Sequence, residues 1–162
     1  MNSYKILNMN ILYRAAEREN TDELRFVAEE DSKIPLLYDP EYIFNEKSTD
    51  ARMIFYKQQI SNEDFFEVAV ENEKIVGFHI VKKVPYPPDL QAGAIITLWS
   101  HPDYRGRGIA FKLKQRAEEW AIKSKLAHLQ TNVHSNNLRM LSMNEKAGFK
   151  IIQVALKKNL GR

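Results

Sequence analysis

The stretch His101-Pro102-Asp103-Tyr104-Arg105-Gly106-Arg107-Gly108-Ile109-Ala110 follows the apolar run Ala94-Ile95-Ile96-Thr97-Leu98-Trp99 and opens a long amphipathic pattern. Two glycines flanking an arginine, set where a helix begins, leave several backbone N–H groups without intrahelical partners. No side chain shields them, and the positive end of the helix dipole stands behind them. Such a place binds phosphate. The competing reading makes Gly106 and Gly108 ordinary turn residues, because a short glycine pattern taken alone is a weak sign.

Working outward, Ile109, Leu113, Ala117, Trp120 and Ala121 recur at helical spacing, so a helix from Gly108 to about Lys123 turns one apolar stripe to the core. The next strand is expected over Leu129–His134. Asn136-Asn137-Leu138-Arg139-Met140-Leu141-Ser142-Met143-Asn144-Glu145-Lys146-Ala147-Gly148-Phe149 then reads as an asparagine-capped helix from Asn137 to Ala147, closed by a glycine in the left-handed region. Phe149–Leu156 is read as a last strand.

The glycine loop and this second helix together resemble the GNAT superfamily of acyl-coenzyme A-dependent N-acyltransferases. In that family Arg/Gln-x-x-Gly-x-Gly/Ala cradles the coenzyme A pyrophosphate, and Arg105, Gly108 and Ala110 fill its fixed places. The family's later Asn-x-x-Ala/Met pattern, running on to Gly-Phe, is matched by Asn137, Met140, Asn144, Gly148 and Phe149. The resemblance covers about a third of the chain and implies an α/β layered sandwich. It is expected to be one domain over residues 1–162, with a mixed sheet of about 6–7 strands flanked by about 4 helices.

Upstream, a short strand through Tyr4–Leu7 is followed by a first strand at Asn10–Ala15. A helix over Asp22–Glu30 is expected to be capped by Thr21 or Asp22, and a second helix runs over about Thr49–Ile60. Between them Ile34-Pro35-Leu36-Leu37-Tyr38-Asp39-Pro40 interrupts regular structure, since proline disfavours helix in the residue before it. Phe65–Glu71 and Lys74–Val84 alternate as a hairpin, with Gly77 marking a bulge or a close backbone approach. The run Ala94–Ser100 reads as a strand buried on both faces.

The chain has no cysteine, which excludes disulfides, cysteine-ligated zinc and an acyl-cysteine intermediate. No metal-ligand set is read from its motifs. Its start lacks an apolar signal region and no apolar run is long enough to span a bilayer, so the expectation is a cytoplasmic protein with no membrane partner. The net charge of +3 is unevenly spread: residues 1–81 carry 9 Lys+Arg against 16 Asp+Glu, and residues 82–162 carry 15 against 5. A basic half around the glycine loop suits an anionic cofactor, and an acidic half suits a cationic amine acceptor. Nucleic acid is set aside because the aromatic interleaving of single-strand grooves is missing. The edge of the last strand makes a homodimer an expectation.

The resemblance also implies roles. Acetyl-CoA is the expected co-substrate and the amine of a small molecule or peptide the expected acceptor, attacked directly in a ternary complex. Leu98, Trp99 and Ser100 match the strand whose main chain pairs with the pantetheine arm and holds the thioester carbonyl. Arg105, Gly106, Arg107, Gly108, Ile109 and Ala110 match the pyrophosphate cradle, and Asn137 and Asn144 the contacts to the arm or thiol. The acceptor is expected near Leu36–Phe55. Many members use a glutamate and a tyrosine as base and acid where this chain has Asn132 and Asn144, and neither amide titrates. Three alternatives stand at this point: His134 is the base, two positions along the same expected strand; a water chain leads to a distant carboxylate; or the chain binds coenzyme A without catalysis. Asn144 keeps the acid's place.

Overall fold

The computed structural model describes residues 10–43, 46–158 and 160, so the expected strand at Tyr4–Leu7 lies outside the described residues. The chain forms two compact units, Met1–Thr131 and Asn132–Arg162.

The first unit is a sheet with helices on both faces. Its elements are β1 (Leu12–Ala15), α1 (Thr21–Lys33), α2 (Glu46–Ser61), β2 (Phe65–Glu71), β3 (Lys74–Tyr86), β4 (Leu90–Ser100), α3 (Ile109–Lys123) and β5 (Leu129–Thr131). The strands lie in the order β1-β2-β3-β4-β5, antiparallel up to β4, with β5 parallel to β4. This is the mixed sheet of an α/β sandwich, with five strands among the described residues rather than six or seven.

Alternation along the strands sorts side chains to the two faces. Phe66, Val68, Phe78, Ile80 and Trp99 point to one face and join Leu24, Val27, Ala28, Met53 and Tyr56 of α1 and α2 in one core cluster. On the other face Ala69 and Val76 meet Ile109 and Leu113 of α3, and Phe65 and Val81 meet Ala117. Burying each of the larger apolar side chains contributes about 1.5–3 kcal/mol. α3 lies close because β3 carries Gly77: a Cβ there would stand 2.7 Å from Cγ2 of Ile109. The expected close approach is therefore present, and β3 bulges beside it, between Gly77 and Ile75.

Several boundaries move. α1 starts one residue early and runs on to Lys33, capped by the side chain of Asn20, which accepts the Glu23 N–H at 3.1 Å, rather than by Thr21 or Asp22. Ile34–Leu37 forms a 3-10 turn after α1, with Pro35 near its start. β4 starts at Leu90 instead of Ala94, because β3 pairs with it through Tyr86↔Leu90. β5 ends at Thr131, short of His134, since β4 offers it partners only from Gly93 to Ile95.

In the second unit α4 spans Leu138–Lys146, and Asn137 caps it by accepting the Met140 N–H at 3.2 Å. Gly148, at φ +86°, closes it as expected. Residues 149–158 form no strand, which corrects the reading of Phe149–Leu156; Ile151, Ile152, Val154 and Leu156 are exposed. Alternating apolar residues make a strand only where a partner supplies the ladder.

Candidate active site

The glycine loop is built from β4 outward. His101 N–H donates to the Val76 carbonyl (2.9 Å), which holds the strand's end against β3. Pro102–Tyr104 then turns as a short 3-10 segment, its start fixed by Asp103 N–H donating to Nδ1 of His101 (3.2 Å). Gly106 (φ +79°) and Gly108 (φ +82°) both occupy the left-handed region that other residues enter only with strain. Gly108 caps α3 without a side-chain hydrogen bond, so the cap residue itself leaves the N–H groups of that helix's first turn uncapped. A Cβ placed on Gly106 or Gly108 meets nothing within 4 Å. Both glycines thus stand in open space ahead of the first turn of α3, with Arg105 and Arg107 exposed beside them.

Tyr104 ties this loop to the sheet. Its hydroxyl donates to Oε2 of Glu71 at 2.6 Å, and the Arg107 guanidinium lies 4.9 Å from its ring centroid. The neighbouring carboxylate raises the Tyr104 hydroxyl above its ordinary pKa. Tyr104 is thus an anchor; its partner lies 33 residues away, a distance no local pattern reveals.

Beside the loop the sheet is forked. β4 and β5 pair only as Gly93↔Leu129, Ala94↔Gln130 and Ile95↔Thr131, while β4 continues to Ser100 with nothing of β5 opposite. The register against β3 jumps from Val81↔Ile95 to Ile80↔Thr97, leaving Ile96 as a bulge. Gly93 N–H points to β5, donating to the His128 carbonyl (2.9 Å), whereas His101 N–H points to β3. By alternation Thr97 and Trp99 also turn their main chain to β3, and Leu98 and Ser100 turn theirs into the fork. Of the three residues expected there, Trp99 is the one facing inward. Its side chain is core, stacked on Phe78 (5.0 Å, 16°) and in a T-shaped contact with Phe26 (5.9 Å, 78°).

Comparison with known proteins bears on this arrangement. The family model described as the acetyltransferase (GNAT) family matches residues 8–149. The chain belongs to the GNAT acetyltransferase family. Solved structures share its fold. A predicted acetyltransferase with acetyl-CoA from Clostridium acetobutylicum superposes with a TM-score of 0.74 at 19% identity, covering 93% of this chain and 96% of that one. A transcriptional regulator from Bacillus halodurans gives 0.74 at 21% identity, over 93% and 99% of the two chains. An acetyltransferase from Trypanosoma brucei gives 0.68 at 16%, over 93% and 100%.

In this GNAT chain the α1–α2 face, where an acceptor is expected, holds a buried polar cluster. Asp31 accepts from Tyr56 Oη (2.5 Å) and pairs with Nη1 of Arg52. Burial first, and the Asp31 charge second, raise Tyr56 far above its ordinary pKa. The cluster locks α1 to α2, since a carboxylate this buried is retained only when it is paired.

The remaining expected residues lie in the second unit. Asn137 spends its side-chain oxygen on the cap of α4. Asn144 is buried in α4, and its main-chain carbonyl accepts from Ala147 and Phe149 N–H, both at 3.0 Å. His134 is exposed, and its Nδ1 accepts the Asn136 N–H (3.2 Å). Because β5 stops at Thr131, Asn132 and His134 do not share a strand face, and the placement argument for His134 lapses.

Proposed function

We propose that this chain is an N-acetyltransferase that moves the acetyl group of acetyl-CoA to an amine of a small molecule or peptide. One observation carries the reading: a forked sheet edge, with the Leu98 and Ser100 amides turned into the fork, ends at a glycine-lined helix mouth without a side-chain cap. The mouth suits a diphosphate, and an extended arm suits an open strand edge. Both fit acetyl-CoA as co-substrate. An amide aimed at the thioester oxygen would stabilise the oxyanion that forms when the amine attacks the carbonyl carbon. Collapse of that intermediate breaks the C–S bond, releases coenzyme A as thiolate, and leaves an amide on the acceptor. The attacking nitrogen sheds a proton in the process and one proton is returned to the thiolate, so that amine and thioester give amide and thiol. With no cysteine in the chain, direct attack in a ternary complex is the route that needs no covalent enzyme intermediate. The acidic first half favours a cationic acceptor.

A second reading, a coenzyme A-binding module without turnover, is favoured by Asn132 and Asn144, amides that do not titrate, at the places where the family resemblance implies a glutamate and a tyrosine in many members. One experiment separates the two. Thiol release from acetyl-CoA is measured across polyamines, amino acids, aminoglycosides and peptide N-termini, alongside calorimetric titration with coenzyme A. Binding with amine-dependent thiol release supports the transferase, and binding with silence across the panel supports the module. Absence of binding, or a Gly108→Val variant that binds as the native chain does, overturns both.

A further inference from the structure

His79 lies on β3 opposite Leu98, fully buried, on the sheet face covered by α3. Its ring meets the edge of Phe65 (5.7 Å, 70°), and its Nδ1 lies 2.8 Å from the Thr97 carbonyl oxygen. A carbonyl can only accept, so Nδ1 carries the proton and Nε2 is left as a lone pair. That Nε2 is buried with no hydrogen-bond partner among the described residues. A half-satisfied imidazole in a core is costly, and a leucine or phenylalanine would fill the same space without that cost. What the imidazole gains is one bond, to the residue immediately after the Ile96 bulge.

We propose that His79 is a positioning residue that pins the β4 bulge through the Thr97 carbonyl and so fixes the aim of the Leu98 and Ser100 amides into the fork. A bulge is a local kink with an extra unpaired residue, and the ladder on either side does not by itself fix its shape. Thr97 is the hinge of this one: its carbonyl faces β3 while the next residue's amide faces the fork. Holding the Thr97 peptide plane holds the orientation of the Leu98 N–H, because both belong to the same peptide unit. An oxyanion donor displaced by a fraction of an ångström loses much of its effect, so such a hold matters to rate more than to affinity. His79 touches neither of the expected substrates and acts only through β4. The inference rests on the reading that the fork receives the thioester arm.

The test compares the native chain with His79→Leu, which fills the space without the donor, and His79→Asn, whose Nδ2–H can take the place of the ring Nδ1–H. Two readouts are needed. Backbone amide chemical shifts of Ile96, Leu98 and Ser100, measured by NMR without ligand, report the bulge directly. Turnover against coenzyme A affinity reports its use. The expected result is shifted amides in His79→Leu, a kcat lowered on the order of tenfold or more, a coenzyme A Kd within about threefold of native because the glycine loop is untouched, and recovery of both readouts in His79→Asn. Unmoved Leu98 and Ser100 amides in His79→Leu, or an Asn variant as impaired as the Leu variant, overturn the inference. Native amide shifts that respond as expected in a chain that binds no coenzyme A would instead overturn the reading of the site, and leave the pinning of the bulge standing.

Discussion

A methyl group added at Gly77 would meet Cγ2 of Ile109 at 2.7 Å, Cδ1 of Leu113 at 3.2 Å and the Trp99 carbonyl at 3.2 Å. Ile109 is the first residue of α3, and Gly77 pairs with Ser100, so one missing side chain sets how the helix mouth sits on the end of β4. Gly77→Ala is expected to cost about 1–3 kcal/mol through overpacking and to weaken coenzyme A binding, read by chemical denaturation and calorimetry. His79 governs a pH effect. Burial first, and the nearby Lys114 charge on α3, lower its pKa to about 4, opposed by the bond to Thr97; on its other side, from β2, stands the uncharged Phe65 ring. Its unfolded value is near 6.5, so between about pH 6.5 and 4 the unfolded chain binds the extra proton and stability falls as pH falls. The loss across that window is expected to reach about 3 kcal/mol, and His79→Asn should remove that share of the slope in unfolding curves. No feature of the sequence around His79 hints that a bulge across the ladder needs its proton.

Helices were legible where one face repeats at 3.6 residues, as in α3, and where a cap is local, as at Asn137. The start of α1 misled because Asn20, Thr21 and Asp22 are all competent caps, and only the backbone turn selects among them. Asn20 accepts the Glu23 N–H, and Glu23 in turn is held by Arg14 Nη2 at 2.6 Å. Asn20→Ala is therefore expected to lower stability by about 1 kcal/mol while Thr21→Ala stays within about 0.5 kcal/mol, as thermal melts would show. Strands were less legible. The hairpin of β2 and β3 carries its own partner and its alternation is unambiguous, but β5 and the residues after Gly148 depend on partners distant in sequence. Apolar alternation at Phe149–Leu156 predicted a strand that the structure lacks, and the expected run to His134 was cut at Thr131 because β4 leaves β5 there.

Across the whole chain the charge is segregated, and the basic half contains the glycine loop, with Arg105 and Arg107 exposed on it. Affinity for coenzyme A should then fall several-fold between low salt and about 0.5 M sodium chloride, as screening shortens the reach of those exposed charges; calorimetry across a salt series checks this. Family and fold were readable from two motifs because each fixes a backbone geometry, whereas the fork required the register of three strands to be known at once. That fork has a direction. β4 and β5 run the same way, so their separation is a blind alley: sealed at the foot by Ile95↔Thr131, open at the head beside the diphosphate mouth, and about 16 Å deep over Ile96–Ser100 at strand rise. On the function proposed above, a donor held at the head and extended downward would turn its acyl tip to the floor. Lengthening that tip from acetyl to butyryl to octanoyl is expected to lower turnover stepwise, making the last paired residues of two strands a selector of chain length.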